Sequence, residues 1–254
     1  ITAEGKVVTF CTYGNSYPIS CGYTWSEVAD YLIAQGCVNA LMLDGSGSAE
    51  WCARYEGTDN VVSVSHPSDG SSRAVGSCLL IVSTAAPDGV FARASVTPGM
   101  SVYTPDSIVH FSAVGADSAG NPAAVPDDAE WSLVDSSMGS IDSDGVFTSN
   151  GAQGDVKVNL VYDGKICGSA TITIAAPDSI TFSKPNEDVG RGKTSNLGLQ
   201  VRYQNRDVIL KDGDIVWTLT NDDETSDVAI GTIAFSDGKY LFTSNSSITC
   251  SGTV

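Results

Sequence analysis

The sequence predicts a multidomain protein in which an N-terminal α+β (α/β) domain is followed by two all-β sandwiches. Three observations predict this architecture. One helical pattern, between residues 24 and 36, stands between two short apolar runs that are typical of strands. Beyond Pro87 helical periodicity ends, and short β-rich runs alternate with turn residues. Within that part, a pattern around Trp131 recurs around Trp217. The expected domains are residues 1–87, 88–177 and 178–254.

The first domain is expected to contain one helix, because Thr24 and Glu27 have the spacing of a capping box. Apolar residues then recur at three- and four-residue intervals, and Gly36 stands where a left-handed residue ends a helix. The runs 6–11 and 39–43 on either side are predicted to be strands. In an open α/β sheet, the residue after the second strand would lie at the edge where ligands bind.

That residue is Asp44, and it begins the segment with the strongest signal for chemistry. Four small residues follow it: Gly45, Ser46, Gly47 and Ser48. Small residues expose backbone N–H groups beside the carboxylate, an arrangement that can bind an anionic or sugar substrate. An ordinary turn with a local hydrogen bond explains the same residues and remains the alternative.

A second polar loop carries further candidates. It follows a predicted strand at 61–64 and contains His66, Asp69 and Arg73, before a second predicted strand at 75–82. A histidine titrates near neutral pH, and an arginine can bind a phosphate as a planar fork. In the alternative interpretation, Arg73 has a structural role and forms an ion pair with Asp69 only.

Together these blocks resemble the phosphodiester glycosidase family, relatives of the lysosomal uncovering enzyme that removes N-acetylglucosamine from a sugar phosphodiester. The resemblance rests on the Gly22-Tyr-Thr-Trp helix start, the turn from Ala40 to Ser48, and the Pro67-Ser-Asp-Gly loop with Arg73. It covers residues 1 to about 85 and implies the C-terminal half of such a catalytic domain. We therefore expect a partial glycosidase domain that needs an N-terminal half or a completing chain.

The resemblance implies a hydrolase that cleaves a sugar 1-phosphodiester through an oxocarbenium-like state. Asp44 would act as an acid/base residue or as the anion beside the sugar ring. Arg73 would bind the phosphate, Asp69 would be the second carboxylate, and His66 a proton donor. Backbone and hydroxyl groups of Gly45, Ser46, Gly47 and Ser48 would contact the substrate. The expected partner is a carbohydrate or sugar phosphate, with no cofactor and no metal.

Two positions depart from the family's usual pattern. Ser46 stands where the family shows the middle of three glycines, and Ser65-His66 stand where it shows an asparagine. The rival interpretation is a non-catalytic surface or phage-fibre protein that binds carbohydrate through an inactive glycosidase-like domain. Glu50, just past the turn, is a reserve catalytic candidate. A nucleotide-binding domain is disfavoured, because no phosphate-loop lysine accompanies the glycines.

Composition limits the partners and the location. The formal net charge is -17, and acidic residues exceed basic ones in each predicted domain. This charge argues strongly against a nucleic-acid partner, because binding a nucleic-acid backbone needs clustered Lys and Arg. No apolar run is long enough to insert in a membrane. The acidic charge favours an extracellular or cell-surface, secreted protein. The seven cysteines show no Cys-x-x-Cys pair, and disulfides and free thiols both remain open.

The two β-rich segments resemble bacterial immunoglobulin-like modules. Each has a Trp-x-Leu followed by a Gly-x-Ile and a Phe-Thr-Ser-Asn, and the interval between Trp131 and Trp217 is close to the length of one such sandwich. Both Trp residues are expected to lie in sandwich cores. The first module continues for 27 residues from Asn150 to Pro177, whereas nine residues follow Asn245, so the second module is expected to lack its final strand or two. The modules would serve as spacers or adhesion units.

Overall fold

The structure is a computed structural model that describes residues 1–12, 14, 21–65, 67–184, 186–223, 226–247 and 252–254. It forms two compact units. Unit 1 contains Ile1–Gly89 and Asp117–Pro122, and unit 2 contains Val90–Ala116 and Ala123–Val254. The fold is mostly β-sheet, with α1 (Trp25–Ala34) as its α-helix among the described residues. None of the helices in these ranges is long and apolar enough to cross a bilayer.

Helix α1 of unit 1 begins and ends as the sequence predicts. The Thr24 backbone N–H donates to Glu27 Oε2 at 2.7 Å, and the Glu27 N–H donates to Thr24 Oγ1 at 3.4 Å, which completes the capping box. At the other end Gly36 has a φ of 79°, and its N–H donates to the Ile33 carbonyl at 2.8 Å. These local bonds satisfy backbone groups that a helix end leaves unpaired.

The strands predicted at 6–11, 39–43 and 75–82 are wrong. All three segments are irregular, and side chains such as Leu41 and Leu80 are exposed. A strand exists only when another backbone pairs with it, and no partner strand for these segments lies within the described residues. Unit 1 instead has a two-stranded antiparallel sheet of β1 (Cys52–Arg54) and β2 (Val61–Ser63), and of these only β2 was predicted.

Unit 2 consists almost entirely of short strands. Those in residues 88–177 are β3 (Arg93–Thr97), β4 (Val102–Tyr103), β5 (Ile108–His110), β6 (Ser112–Ala116), β7 (Glu130–Leu133), β8 (Gly139–Ile141), β9 (Val146–Ser149), β10 (Gly154–Tyr162) and β11 (Lys165–Ile174). Those in residues 178–254 are β12 (Ser179–Phe182), β13 (Thr194–Asn196), β14 (Leu199–Tyr203), β15 (Arg206–Ile209), β16 (Thr220–Asn221), β17 (Gly231–Ser236), β18 (Lys239–Ser244) and β19 (Gly252–Thr253).

Strand β4 joins the strands of both segments into one sheet. It pairs in parallel with β11 on one side and with β15 on the other, and the sheet order is β12-β14-β15-β4-β11-β10-β7. The smaller sheets of unit 2 are β3-β6, β5-β9-β8, β13-β18-β17 and β16-β19. The two predicted modules therefore share backbone hydrogen bonds through β4.

The internal repeat is visible in the two three-stranded sheets, β5-β9-β8 and β13-β18-β17. In each, the glycine that starts one hairpin strand lies against a backbone carbonyl and a Phe ring of the other strand, Gly139 in the first and Gly231 in the second. Each hairpin is followed by an asparagine whose side chain donates to a backbone carbonyl, Asn150 at 2.8 Å and Asn245 at 2.9 Å. Matching contacts at matching positions indicate two copies of one structural unit.

Both repeated Trp residues pack against apolar neighbours, as the sequence predicts. Trp131 packs on a buried cluster that includes Phe147 and Ile172, and its ring centroid lies 6.4 Å from that of Phe111. Trp217 lies 5.2 Å from the ring of Tyr240. Both Trp side chains are half-buried, and the apolar area that they remove from water stabilises unit 2.

Candidate active site

The β1–β2 hairpin of unit 1 brings the two candidate loops together. Cys52 pairs with Ser63 at the open end of the hairpin, so the segment before β1 and the segment after β2 leave the sheet side by side. The backbone continues this alignment, because the Trp51 N–H donates to Ser65 Oγ at 2.7 Å. Local pairing thus places the turn at residues 44–50 beside the loop at residues 65–73.

The turn after Asp44 is a short 3₁₀ helix at Ser46–Ser48. The Gly45 N–H donates to Asp44 Oδ1 at 2.9 Å, and the Ser48 N–H donates to the Gly45 carbonyl at 3.2 Å. Ser46 has a φ of 56°, a left-handed conformation that glycine adopts more readily than serine. The residue that replaces the family's glycine therefore keeps a glycine-like backbone.

Asp44 and Arg73 meet at the hydroxyl of Ser48. The Ser48 side chain is the largest cause that lowers the pKa of Asp44, followed by the Gly45 backbone N–H, with the charge of Arg73 as a smaller contribution. The Ser48 hydroxyl oxygen accepts a hydrogen bond from Arg73 Nη2. A carboxylate and a guanidinium from separate loops thus both lie beside Ser48, and the lowered pKa keeps the carboxylate ionised at neutral pH.

Asp69 holds the other side of Arg73. Arg73 Nη1 lies 3.2 Å from Asp69 Oδ2, and both side chains are about half exposed, at 50% and 45%. The Asp69 carboxylate also lies against the buried Gly47, where it fills the space that a β-carbon would occupy. Arg73 therefore bridges Asp69, as the structural alternative held, and contacts Ser48 as well.

Sequence reasoning missed several hydroxyl groups of the site. The Ser72 hydroxyl donates to Glu50 Oε1 at 2.6 Å, and this bond is the largest cause that lowers the pKa of Glu50. Ser65 accepts the Trp51 bond, and Ser68 Oγ is buried without a hydrogen-bond partner in the described part of the chain. The only sequence signal was the serine-rich composition of the loop, which does not say what each hydroxyl contacts.

The other expectations from the sequence concern His66, a metal site and the cysteines. His66 lies outside the described residues. Within the described ranges, no group of three or more His, Cys, Asp or Glu side chains is arranged to hold a metal ion. The cysteines that the structure describes, which are Cys11, Cys21, Cys37, Cys52, Cys78 and Cys167, are free thiols.

Comparison with known families supports the resemblance read from the motifs. Residues 1–82 match the model of the phosphodiester glycosidase family. The match includes Asp44, Arg73 and both loops, and it covers less than half of the chain. No curated protein matches the chain. The chain therefore carries a phosphodiester glycosidase-like region at its N-terminal end. A match to this kind of family suggests a sugar-derived substrate.

Proposed function

We propose that unit 1 carries part of a hydrolase site that cleaves a sugar 1-phosphodiester in a glycan or glycoconjugate, on a secreted or surface-exposed protein. The observation that supports this most is the meeting of Asp44 and Arg73 at Ser48. An anion and a cation held this way suit the two charges of the reaction, a positive sugar ring and a departing phosphate. The family match at residues 1–82 favours the same class of reaction.

Asp44 is proposed as the anion beside the sugar ring rather than as a proton donor. Its pKa is lowered by the Ser48 hydroxyl and the Gly45 N–H, so at neutral pH it carries negative charge and has no proton to give. A carboxylate at the anomeric carbon stabilises the oxocarbenium-like state. Protonation of the leaving group matters less here because a phosphate monoester leaves readily. His66 remains the predicted donor of a proton to that leaving group.

Arg73 is proposed to bind the phosphate, with Asp69 as its positioning residue. Guanidinium has five N–H donors, and Arg73 directs one to Asp69 and one to Ser48. The donors that remain can bind non-bridging phosphate oxygens in a planar fork. Backbone and hydroxyl groups of Gly45, Ser46, Gly47 and Ser48 would contact the sugar. The proposed reaction uses no cofactor.

We also propose that another polypeptide segment completes unit 1, either an N-terminal half or a separate chain. Helix α1 buries none of its residues, and exposure reaches 87% at Leu41, 75% at Leu80 and 77% at Ile81. Consecutive apolar residues of this kind are typical of strands covered on both faces. A completing segment that pairs with residues 39–43 and 79–82 would slow amide hydrogen exchange there, and unchanged exchange on its addition would contradict this proposal.

The test of catalysis is hydrolysis of methyl esters of N-acetylglucosamine 1-phosphate and glucose 1-phosphate by the intact protein with any completing segment present. Asp44→Asn and Arg73→Gln should each slow sugar release by about 10²–10³-fold, the cost of removing one group that stabilises transition-state charge. Asp59→Asn is the matched control, because Asp59 lies in the β1–β2 connection at the far end of the hairpin from the site loops. Equal rates for Asp44→Asn and Asp59→Asn would refute the assignment.

The second candidate function is a non-catalytic carbohydrate-binding or structural role. It is favoured by Ser46, which stands at a glycine position of the family and has an exposed side chain beside Asp44. In the same assay, this function predicts glycan binding without release of sugar from either ester by the wild-type protein.

A further inference from the structure

Unit 2 contains an open cleft of about 420 Å³ that the proposed hydrolysis does not use. Its volume falls within the range of about 300–1,000 Å³ that is usual for small-molecule sites. The cleft lies entirely within unit 2, and Met100 and Gly154 contribute to its lining. The polar groups around it are Asp155, Thr171, Thr173, Tyr203, Gln204 and Arg206.

The cleft exists because β4 is much shorter than its neighbours in the sheet. β4 pairs with β15 only at Val208 and Ile209. Arg206, two residues earlier in β15, therefore has no residue of β4 paired beside it. Just before β4, Met100 has a left-handed φ of 59°, and its N–H donates to the Thr171 carbonyl at 2.7 Å. The chain thus stays attached to β11 and leaves a notch in the sheet on the side of β15.

Strand register places complementary side chains around this notch. Tyr203 and Arg206 are directly paired across the β14–β15 hairpin, and Asp155 and Thr173 are directly paired across β10 and β11. Members of a directly opposed pair project from the same face of a sheet. Each side of the notch therefore contributes one pair of neighbouring side chains.

Hydrogen bonds hold three of these groups in a fixed array. Arg206 Nη2 donates to Thr173 Oγ1 at 3.0 Å, and Thr173 Oγ1 donates to Asp155 Oδ1 at 2.8 Å. Among the described residues, neither Arg206 nor Asp155 forms an ion pair, and Asp155 Oδ2 accepts no hydrogen bond. The array thus offers unused guanidinium N–H donors beside an unused carboxylate acceptor.

The turn at the edge of the cleft adds an amide and an aromatic ring. Gln204 and Asn205 both have left-handed φ values, 49° and 62°, a turn conformation that glutamine rarely adopts. Gln204 Nε2 donates to the Tyr203 hydroxyl at 3.3 Å. Tyr203 is half-buried against the Val201 and Val208 core, which fixes the position of its ring.

We propose that this cleft binds a neutral saccharide. Each sugar hydroxyl both donates and accepts hydrogen bonds. The array suits such a ligand, because Arg206 donates, Asp155 accepts, and the Gln204 amide can do both. An anionic ligand would be opposed by Asp155, and a cationic ligand by Arg206. The Tyr203 ring supplies the apolar contact that the C–H face of a pyranose can use. The binding site is independent of Asp44 and Arg73.

The test measures binding of lactose, maltotriose, cellotriose and N,N′-diacetylchitobiose to the intact protein, by saturation-transfer NMR and calorimetry. Glucuronate and inorganic phosphate serve as anionic probes. We expect at least one neutral sugar to bind with a Kd of about 1 mM or below. Arg206→Ala and Gln204→Gly should each weaken that binding about tenfold. Glycine adopts the φ of Gln204 freely, so Gln204→Gly preserves the fold.

Matched controls come from the opposite face of the same hairpin. Arg202 pairs with Asp207 one position along from the Tyr203–Arg206 pair, and successive residues of a strand face opposite sides. Arg202→Ala and Asp207→Asn should leave the Kd within about twofold. The proposal is overturned if no neutral sugar binds, if only the anions bind, or if the controls weaken binding as much as Arg206→Ala. Asp44→Asn should leave this binding unchanged, which separates the cleft from hydrolysis.

Discussion

Replacing Gly47 with alanine should displace the Asp69 carboxylate from the candidate site. A methyl group at Gly47 would occupy the space that the carboxylate fills. Asp69 is about half exposed, so its carboxylate can rotate toward solvent instead of forcing the backbone apart. The ion pair between Asp69 and Arg73, 3.2 Å in the structure, would then be broken. Of the contacts that Arg73 makes within the described residues, the one with Ser48 would remain.

The expected effects on stability and on activity differ greatly in size. An exposed ion pair contributes about 0–1 kcal/mol, so the free energy of unfolding should fall by at most about 1 kcal/mol. A guanidinium displaced by about 1 Å from the phosphate would slow hydrolysis by about 10²-fold. Urea unfolding followed by tryptophan fluorescence measures the first quantity, and sugar release from the phosphodiester substrates measures the second.

Gly45→Ala is the matched control for Gly47→Ala. Gly45 has a φ of -123° and a ψ of -160°, which alanine adopts without strain, and nothing lies within 4 Å of an added β-carbon. This variant should keep both stability and activity. Similar losses of activity in the two variants would show that the turn does not act through Asp69. A loss of stability above about 3 kcal/mol in Gly47→Ala would indicate that the site cannot relax as argued.

Two other measurements test the repeat and the electrostatics. Gly231→Ala should destabilise unit 2 by about 1–3 kcal/mol, because the new methyl group meets the Thr243 carbonyl and the Phe242 ring. Gly190→Ala is the control and should leave stability unchanged, because its methyl group would meet the flexible Lys193 side chain at 3.4 Å. Asp44 has a lowered pKa in the folded chain, so its contribution to stability is fully present above its ordinary pKa and is lost as the pH falls through the lowered value. The stability difference between wild type and Asp44→Asn should therefore shrink in acid, and a pH-independent difference would contradict the assignment.

Local signals in the sequence predicted local structure well. Thr24, Glu27 and Gly36 fix the ends of α1 through bonds to residues no more than five positions away, so the sequence pattern contains the whole interaction. The run at 39–43 failed as a strand prediction for the opposite reason. Apolar composition indicates what a segment prefers to bury, but a sheet also needs a pairing partner, which a periodicity pattern does not specify. The strand at Cys52–Arg54 has only three residues, which is too short for a periodicity pattern to predict it.

The residues of the candidate site likewise include some that the sequence predicts and some that it does not. Asp44 and Arg73 could be named from their motifs, because their side-chain chemistry is distinctive. The contacts between Ser72 and Glu50 and between Ser65 and Trp51 could not, because serine is an ordinary loop residue and its partner is set by the β1–β2 register. The need for a glycine at position 47 appears only when Asp69 is seen beside it.

The unequal surroundings of the two contacts of Arg73 bear on how the proposed site would work. The Asp69 pair is half exposed and uses one guanidinium N–H, so it orients Arg73 and leaves other N–H donors for the phosphate oxygens. Ser48 is different, because its backbone is fixed by the 3₁₀ turn and its side chain both accepts from Arg73 and lowers the pKa of Asp44. Substrate binding as proposed would therefore leave both of these contacts in place, with Asp69 orienting the guanidinium and Ser48 holding it beside Asp44. Of these two contacts among the described residues, the neutral hydroxyl of Ser48 is the one that an incoming anion has no reason to displace.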